Sequence, residues 1–139
     1  LSNLTEVTNT LRINNTVLTS LAGLENLERI GFIFVLGNNS NLQPLEGLSG
    51  LTSVGFSLII GDNDALTSLE GLSNLTSIGG SISIFDNDVL ASLAGLQNVT
   101  NFDNTNNVNI ENNPALDCSV TPELPFVVDT STGNAVECN

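Results

Sequence analysis

LTSLEGLSNL, residues 66–75, is the phrase from which the architecture of this chain follows, because it returns at a fixed distance. It occurs again as LTSLAGLENL at 18–27, LQPLEGLSGL at 42–51 and LASLAGLQNV at 90–99, so its glycine recurs every 24 residues. A constant period of this length predicts one supersecondary unit stacked on copies of itself. The glycine is expected at a tight bend or a close backbone approach, within either a helical turn or an irregular bend. Function is then expected on aligned surface columns, and no deep pocket is implied.

Each repeat also contains a short strand pattern. In the third repeat, Val54 is followed four residues later by Leu58 and, two residues further, by Ile60. An apolar step of two predicts a strand with one buried face. The equivalent residues elsewhere are Val7, Leu11 and Ile13; Ile30, Phe34 and Leu36; Ile78, Ile82 and Ile84; and Phe102, Val108 and Ile110, the last set with a two-residue insertion.

An asparagine stands three residues after the strand in four repeats. These residues are Asn39, Asn63, Asn87 and Asn113, and the first repeat, which is one residue shorter, offers Asn15. Stacked asparagine side chains in a turn can hydrogen-bond the neighbouring coil and satisfy backbone groups that would otherwise be unpaired. We therefore predict a structural role for this column.

The repeats predict one domain made of a solenoid, residues 1–116, and a C-terminal cap, residues 117–139. The expected coils lie near 4–26, 27–50, 51–74, 75–98 and 99–116. Prolines and loss of the pattern near the C-terminus indicate a cap over the apolar end, which solenoids need for solubility. No matching N-terminal cap is visible, so the first coil could associate with another copy.

Both cysteines, Cys118 and Cys138, fall in the cap. A disulfide between them would close a loop of about 20 residues and contribute roughly 3 kcal/mol. The secreted character of the rest of the chain favours this bond over two free thiols, the alternative in a cytosolic protein.

The repeat motif V-x3-L-x-I-x2-N-x2-L, seen as VGFSLIIGDNDAL at 54–66, is close to the common leucine-rich repeat. Together with residues 66–99 and the ending NPALDC at 113–118, it resembles the receptor L domain family over about residues 1–120. The resemblance implies a mainly β fold, a right-handed leucine-rich-repeat-like solenoid of about five coils. It also implies an extracellular ligand-binding or adhesive module, as in insulin and epidermal growth factor receptors. The regular coils and few cysteines are more similar to the family's microbial surface proteins.

The charge is strongly acidic, with 15 carboxylates against Arg12 and Arg29 for a net charge of -13. Phosphate binding needs clustered Lys and Arg, so nucleic acid and anionic lipid are not expected as partners. No apolar stretch reaches about 18 residues, so no membrane insertion is predicted. The chain begins LSNL, as at 72–75, which we interpret as a fragment or mature form of an extracellular or cell-surface protein.

Several outward strand positions are apolar. Ile33, Val35 and Ile59 are expected to face solvent, with Phe85 one coil away. Neighbouring exposed apolar residues usually mark an interface, although β-branched residues also simply favour strands. The predicted ligand-binding set is Arg12, Ile33, Val35, Ile59, Ser83 and Phe85.

Two acidic turns form a second candidate site. Asp62 and Asp64 flank Asn63, and the next coil repeats the pattern with Asp86 and Asp88. Like charges would then stack about 5 Å apart, and a hard cation such as Ca²⁺ would relieve their repulsion. The alternative is a pair of solvated acidic turns, and no other cofactor is predicted.

Catalysis is not predicted, because the chain has no His or Lys to activate a serine and no Trp or Tyr platform beside its carboxylates. The sequence predicts a noncatalytic ligand-binding or adhesion module that binds a protein or glycan through the strand face. One alternative is a structural spacer in a surface filament. The other is ice binding through an outward rank of hydroxyl groups, Thr5, Thr52, Thr76 and Thr100, which Glu28 and Arg29 interrupt.

Overall fold

A computed structural model describes residues 1–43, 45–102, 107–119, 124–126 and 128–134. Across these residues the chain is mainly β, and its parallel strands wind into a solenoid of about five turns of about 24 residues, as predicted. The short-strand sheet contains β1 (Glu6–Val7), β3 (Arg29–Ile30), β5 (Ser53–Val54), β7 (Ser77–Ile78) and β9 (Asn101–Phe102). The long-strand sheet contains β2 (Leu11–Asn14), β4 (Phe34–Gly37), β6 (Leu58–Gly61), β8 (Ile82–Phe85), β10 (Val108–Glu111) and β11 (Thr130–Thr132).

The register of both sheets confirms the predicted columns. The short-strand sheet runs β1-β3-β5-β7-β9, and the long-strand sheet runs β2-β4-β6-β8-β10-β11. Leu58 pairs with Phe34 on one side and with Ile82 on the other. The two-residue insertion in the last coil is absorbed before β10, because Ile84 still pairs with Ile110. A strand from the predicted cap, β11, extends the long-strand sheet by one further rung, which the repeat pattern did not indicate.

The interior is filled by the inward strand residues and by the leucines of the repeated phrase. Phe34, Leu58 and Ile82 are fully buried, and so are Leu45 and Leu69 of the phrase. The segment that carries the phrase is a short 3-10 helix in two coils, at Glu46–Leu48 and Glu70–Leu72. Because each coil buries only one stripe of side chains, the core becomes continuous only when coils stack.

The repeated glycine is required by close backbone approach in three coils, whereas Gly23 in the first coil meets no such contact and has a φ of 98°. A Cβ added at Gly47, Gly71 or Gly95 would collide with the carbonyl oxygen of a leucine in the preceding coil. Gly95 has a φ of 116°, whereas Gly71 lies in a 3-10 helix without a positive φ. The shared constraint is therefore the close contact, and the bend is not shared. A second column with the same constraint, which the sequence analysis missed, consists of Gly31, Gly55 and Gly79.

The two ends of the solenoid differ. Towards the C-terminus the core is covered, and Phe126 of the cap packs against Phe102 with ring centroids 5.4 Å apart. At the N-terminal end, Leu18 is 44% exposed, although its counterpart Leu42 in the next coil is fully buried. Among the described cysteines none is a free thiol, and Cys138, the predicted partner of Cys118, lies outside the described residues.

Candidate functional site

The predicted asparagine column is a buried hydrogen-bond ladder. Nδ2 of Asn63 donates to the carbonyl oxygens of Leu36 and Gly61, at 3.0 and 2.9 Å, and to Oδ1 of Asn87 at 3.2 Å. The backbone N–H of Asn63 donates to the same Oδ1 of Asn87 at 3.2 Å. The ladder residues Asn39, Asn63, Asn87 and Asn113 are fully buried. This column therefore satisfies backbone groups in the turns, which confirms its structural role.

Both ends of this ladder differ from the sequence prediction. In the first coil the rung is Thr16, whose Oγ1 donates to Oδ1 of Asn39 at 2.7 Å. The predicted Asn15 instead has a φ of 55°, the left-handed conformation that asparagine tolerates better than most residues. At the other end, Oδ1 of Asn134 accepts from the backbone N–H of Asn113 at 3.0 Å. The prediction is wrong by one residue in the first coil because that coil is shorter than the others. It missed the last rung because Asn134 lies in the cap, outside the repeat.

A second asparagine ladder, missed in the sequence, runs along the repeated phrase. Nδ2 of Asn26, Asn74 and Asn98 donates to the carbonyl oxygens of Ser2, Ser49 and Ser73 in the preceding coils, at 2.6, 2.7 and 2.8 Å respectively. The recurring Asn of the phrase was the available signal. Both ladders therefore join neighbouring coils.

The outward side of the long-strand sheet, called the strand face below, is less exposed to solvent than predicted. In its central column Val35 lies between Arg12 and Ile59, and Ile59 pairs onward with Ser83. Val35 is only 8% exposed, which corrects the expectation that it is solvated. The reason is that neighbouring strands lie about 4.8 Å apart, so in-register side chains on adjacent rungs cover one another. Ile33 and Ile59 are half-buried.

Phe85 joins this apolar surface from the next coil. It pairs with Gly61, and a Cβ added at Gly61 would collide with the Phe85 ring. The ring therefore covers the glycine, two residues beyond Ile59 on the same side of β6. The structure thus brings together Ile33, Val35, Ile59 and Phe85, while Arg12 and Ser83 occupy the flanking rungs of the central column.

Two phenylalanines border the strand face where its strands begin. Phe32 and Phe56 stack with ring centroids 5.1 Å apart and an interplanar angle of 13°. They are 45% and 46% exposed. The next rung in this column is Gly80, where an added Cβ would lie 3.0 Å from Cδ2 of Phe56. The aromatic pair therefore has no third ring beside it in this column, because Phe56 lies against Gly80, and nearly half of each ring remains exposed.

The two acidic turns lie at the opposite border, where the strands end. The N–H of Asp62 donates to the carbonyl oxygen of Phe85 at 3.2 Å, which places the two turns on adjacent rungs. Asp64, Asp86 and Asp88 are exposed and Asp62 is half-buried. Within the described ranges, no three or more carboxylate or cysteine side chains are grouped to hold a metal ion. The geometry therefore gives the predicted Ca²⁺ site no support.

The two arginines do not neutralise these turns. In the part of the chain that the structure describes, the one ion pair joins Nε of Arg29 to Oε1 of Glu6, 3.6 Å apart, in the short-strand sheet. Arg12 lies on the strand face three rungs away from the turn of Asp86. The carboxylates of the acidic turns consequently depend on solvent or on a partner for compensation.

The threonine rank is exposed, and two of its hydroxyl groups already donate hydrogen bonds within the fold. Oγ1 of Thr52 donates to the carbonyl oxygen of Glu28 at 3.0 Å, and Oγ1 of Thr76 donates to that of Thr52 at 3.2 Å. A hydroxyl group has one proton to donate, so a threonine that donates to the backbone cannot also donate to an ice lattice. These two hydrogen bonds therefore weaken the ice-binding alternative.

Comparison of the chain with protein-family profiles, with curated proteins and with solved structures found no match. None of the helices among the described residues is long and apolar enough to cross a membrane. The geometry of the strand face is therefore the main guide to function.

Proposed function

We propose that this chain is a noncatalytic extracellular module of a surface or secreted protein, which binds a protein or glycan through its strand face. The observation that carries the proposal is the exposed Phe32–Phe56 stack beside half-buried Ile33 and Ile59. A contiguous apolar surface of this kind on a monomer usually marks an interaction site. Aromatic residues, Phe among them, are enriched at protein interfaces relative to the rest of the surface.

Two further observations support the strand face over other surfaces. The asparagine and glycine columns are occupied by contacts between coils, so they are not available to a ligand. The open depression lined by Thr19, Asn41, Gln43 and Ala65 contains no charged or aromatic side chain that would orient a ligand. Extracellular localisation rests on the family resemblance and on the cysteines of the cap.

The test is a comparison of Ile59→Asp with Val89→Asp. Val89 is 41% exposed and lies outside the strand face, so both variants place a carboxylate on an apolar surface residue. The intact chain and both variants are screened on a glycan array and against a panel of purified surface proteins. Ile59→Asp should bind each captured ligand roughly tenfold or more weakly than the intact chain, while its circular dichroism spectrum should remain that of a β protein. Equal binding by Ile59→Asp and Val89→Asp would reject the strand face as the site.

A spacer role is the second candidate, and the two asparagine ladders favour it because they make the stack regular along its length. Deleting residues 51–74, one complete period, removes a coil without changing the register of the remainder. A spacer should retain its function in such a shortened form. A binding module should lose its ligand, because β6 and Ile59 are deleted with the coil.

A further inference from the structure

The strand face is chemically polarised along its strands. The exposed aromatic pair borders the start of the strands, whereas the acidic turns follow their ends. Phe56 and Asp62 are six residues apart on one coil, which corresponds to about 20 Å of extended chain. This length is ordinary for one strand or extended segment of a partner.

Between these borders the surface is uncharged over three coils. The outward residues of β4, β6 and β8 are Val35, Gly37, Ile59, Gly61, Ser83 and Phe85. No carboxylate interrupts this described region, although the whole chain carries fifteen. Such a surface can be desolvated at low electrostatic cost, because no isolated charge has to be buried.

The acidic border, by contrast, carries charge that the chain leaves uncompensated. Asp62 and Asp86 occupy adjacent rungs, about 5 Å apart by sheet spacing, and the described ion pair lies in the other sheet. Two like charges at that distance repel, and a cationic group of a partner removes the repulsion. Complementary charge at the rim of an interface also raises the association rate and excludes wrong partners.

We infer that the partner is a basic polypeptide, which lays aromatic or aliphatic side chains on the strand face and directs Lys or Arg side chains at the acidic turns. This inference rests on the proposed function and specifies its ligand. A neutral glycan would use the aromatic pair but would leave the four carboxylates unpaired. The partner class is therefore decided by whether the acidic turns contribute to binding.

The test uses three short peptides as probes, with alternating Trp-Lys, Trp-Glu and Ser-Lys sequences. Their binding is followed by Trp fluorescence, or by calorimetry for the Ser-Lys peptide, against a chain that has no Trp of its own. The Trp-Lys peptide should bind most tightly, because it alone combines apolar rings with cations. Its affinity should fall as salt is raised, because exposed charges are screened.

Two matched double variants separate the effect of the acidic turns from the effect of the total charge of the chain. Asp62→Asn with Asp86→Asn is compatible with the fold, because Asn15, Asn38 and Asn112 adopt the same left-handed conformation in the equivalent turns. Glu46→Gln with Glu70→Gln removes the same charge from the 3-10 helices. The first double variant should bind the Trp-Lys peptide about fivefold more weakly than the wild type, and the second should bind it with an affinity within about twofold of the wild type.

The outcomes distinguish this inference from the function on which it rests. The inference of a basic partner is overturned if both double variants lose the same affinity for the Trp-Lys peptide, or if the Trp-Lys and Trp-Glu peptides bind equally well. If Ile59→Asp then still abolishes capture of a glycan, the strand face remains the site and its ligand is a neutral sugar. If Ile59→Asp affects no ligand at all, the proposed function itself fails.

Discussion

Asn63 and Asn87 are 24 residues apart in the sequence, yet Nδ2 of Asn63 donates to Oδ1 of Asn87 over 3.2 Å in the folded chain. Each of these amides also donates to two backbone carbonyl oxygens, so one side chain joins three neighbouring segments. The ladder is buried, and every rung that is removed leaves polar groups without a partner or water. The stability of the solenoid should therefore depend strongly on single asparagines.

Replacement of Asn63 by Ala should lower the free energy of unfolding by about 3 kcal/mol or more. The change leaves the carbonyl oxygens of Leu36 and Gly61 without this donor and removes the acceptor of Asn39. Urea denaturation measures the effect, with Asn41→Ala as an exposed control expected to change stability by less than about 0.5 kcal/mol. Equal effects of the two substitutions would contradict a buried ladder.

Replacement of Gly71 by Ala should destabilise the chain by about 1–3 kcal/mol. The added Cβ would collide with the carbonyl oxygen of Leu45, which is backbone and cannot swing aside. Gly37→Ala is the matched control, because there the nearest atoms lie at 3.5 Å and the conformation is ordinary. That control should raise stability by about 0.5 kcal/mol, because Ala reduces the entropy of the unfolded chain. Similar thermal midpoints for both variants would refute close approach as the reason for the repeated glycine.

Adjacent residues of β6 should respond in opposite ways to the same substitution. Ile60 is fully buried, so Ile60→Asp should destabilise the chain by more than about 4 kcal/mol and prevent folding. Ile59→Asp should remain folded, because Ile59 lies on the strand face. Circular dichroism and urea denaturation of the purified variants check this. Unfolding of both variants would show that the strand face is covered.

Glu25 should make a pH-dependent contribution to stability. The backbone N–H of Gly23 donates to its Oε1 at 2.8 Å, and this hydrogen bond lowers the pKa of Glu25 below its ordinary value. A lowered pKa in the folded state stabilises the fold above the unfolded pKa, and the contribution is lost as pH falls through the folded pKa. Wild type should therefore exceed Glu25→Gln in stability at neutral pH and match it in acid. A Glu25 titration midpoint at or above the ordinary value, measured by NMR, would contradict this.

The cap should depend on a Cys118–Cys138 disulfide. Cys118 is not a free thiol, and Cys138 is the other cysteine of the chain. Mass spectrometry should show no alkylation before reduction and two added groups after it. Cys138→Ser should lower the free energy of unfolding by about 3 kcal/mol, the value expected for a loop of this length. Alkylation of either cysteine without reductant would rule the bond out.

Regular features were predictable because a repeat constrains every coil alike. Val54, Leu58 and Ile60 share one spacing with their counterparts in the two neighbouring coils, and all three sets are buried. In the first coil, Val7, Leu11 and Ile13 are only partly buried. The misassignment at Asn15 arose where the spacing changes, because a one-residue deletion leaves two polar residues that could each enter the ladder. The Asn134 rung was missed because it belongs to the cap, whose fit onto the last coil follows from three-dimensional contact and leaves no periodic mark.

Between the end coils, the fixed period is enough to determine which residues share a column and which sets form the core, because translation by one coil repeats the same local environment. Exposure on the strand face was decided by the folded chain. Val35 is covered by its in-register neighbours, Phe85 turns over Gly61, and Phe32 stacks on Phe56. These outcomes depend on the size and direction of side chains on different coils, and side-chain packing between coils is set only when the strands lie about 4.8 Å apart.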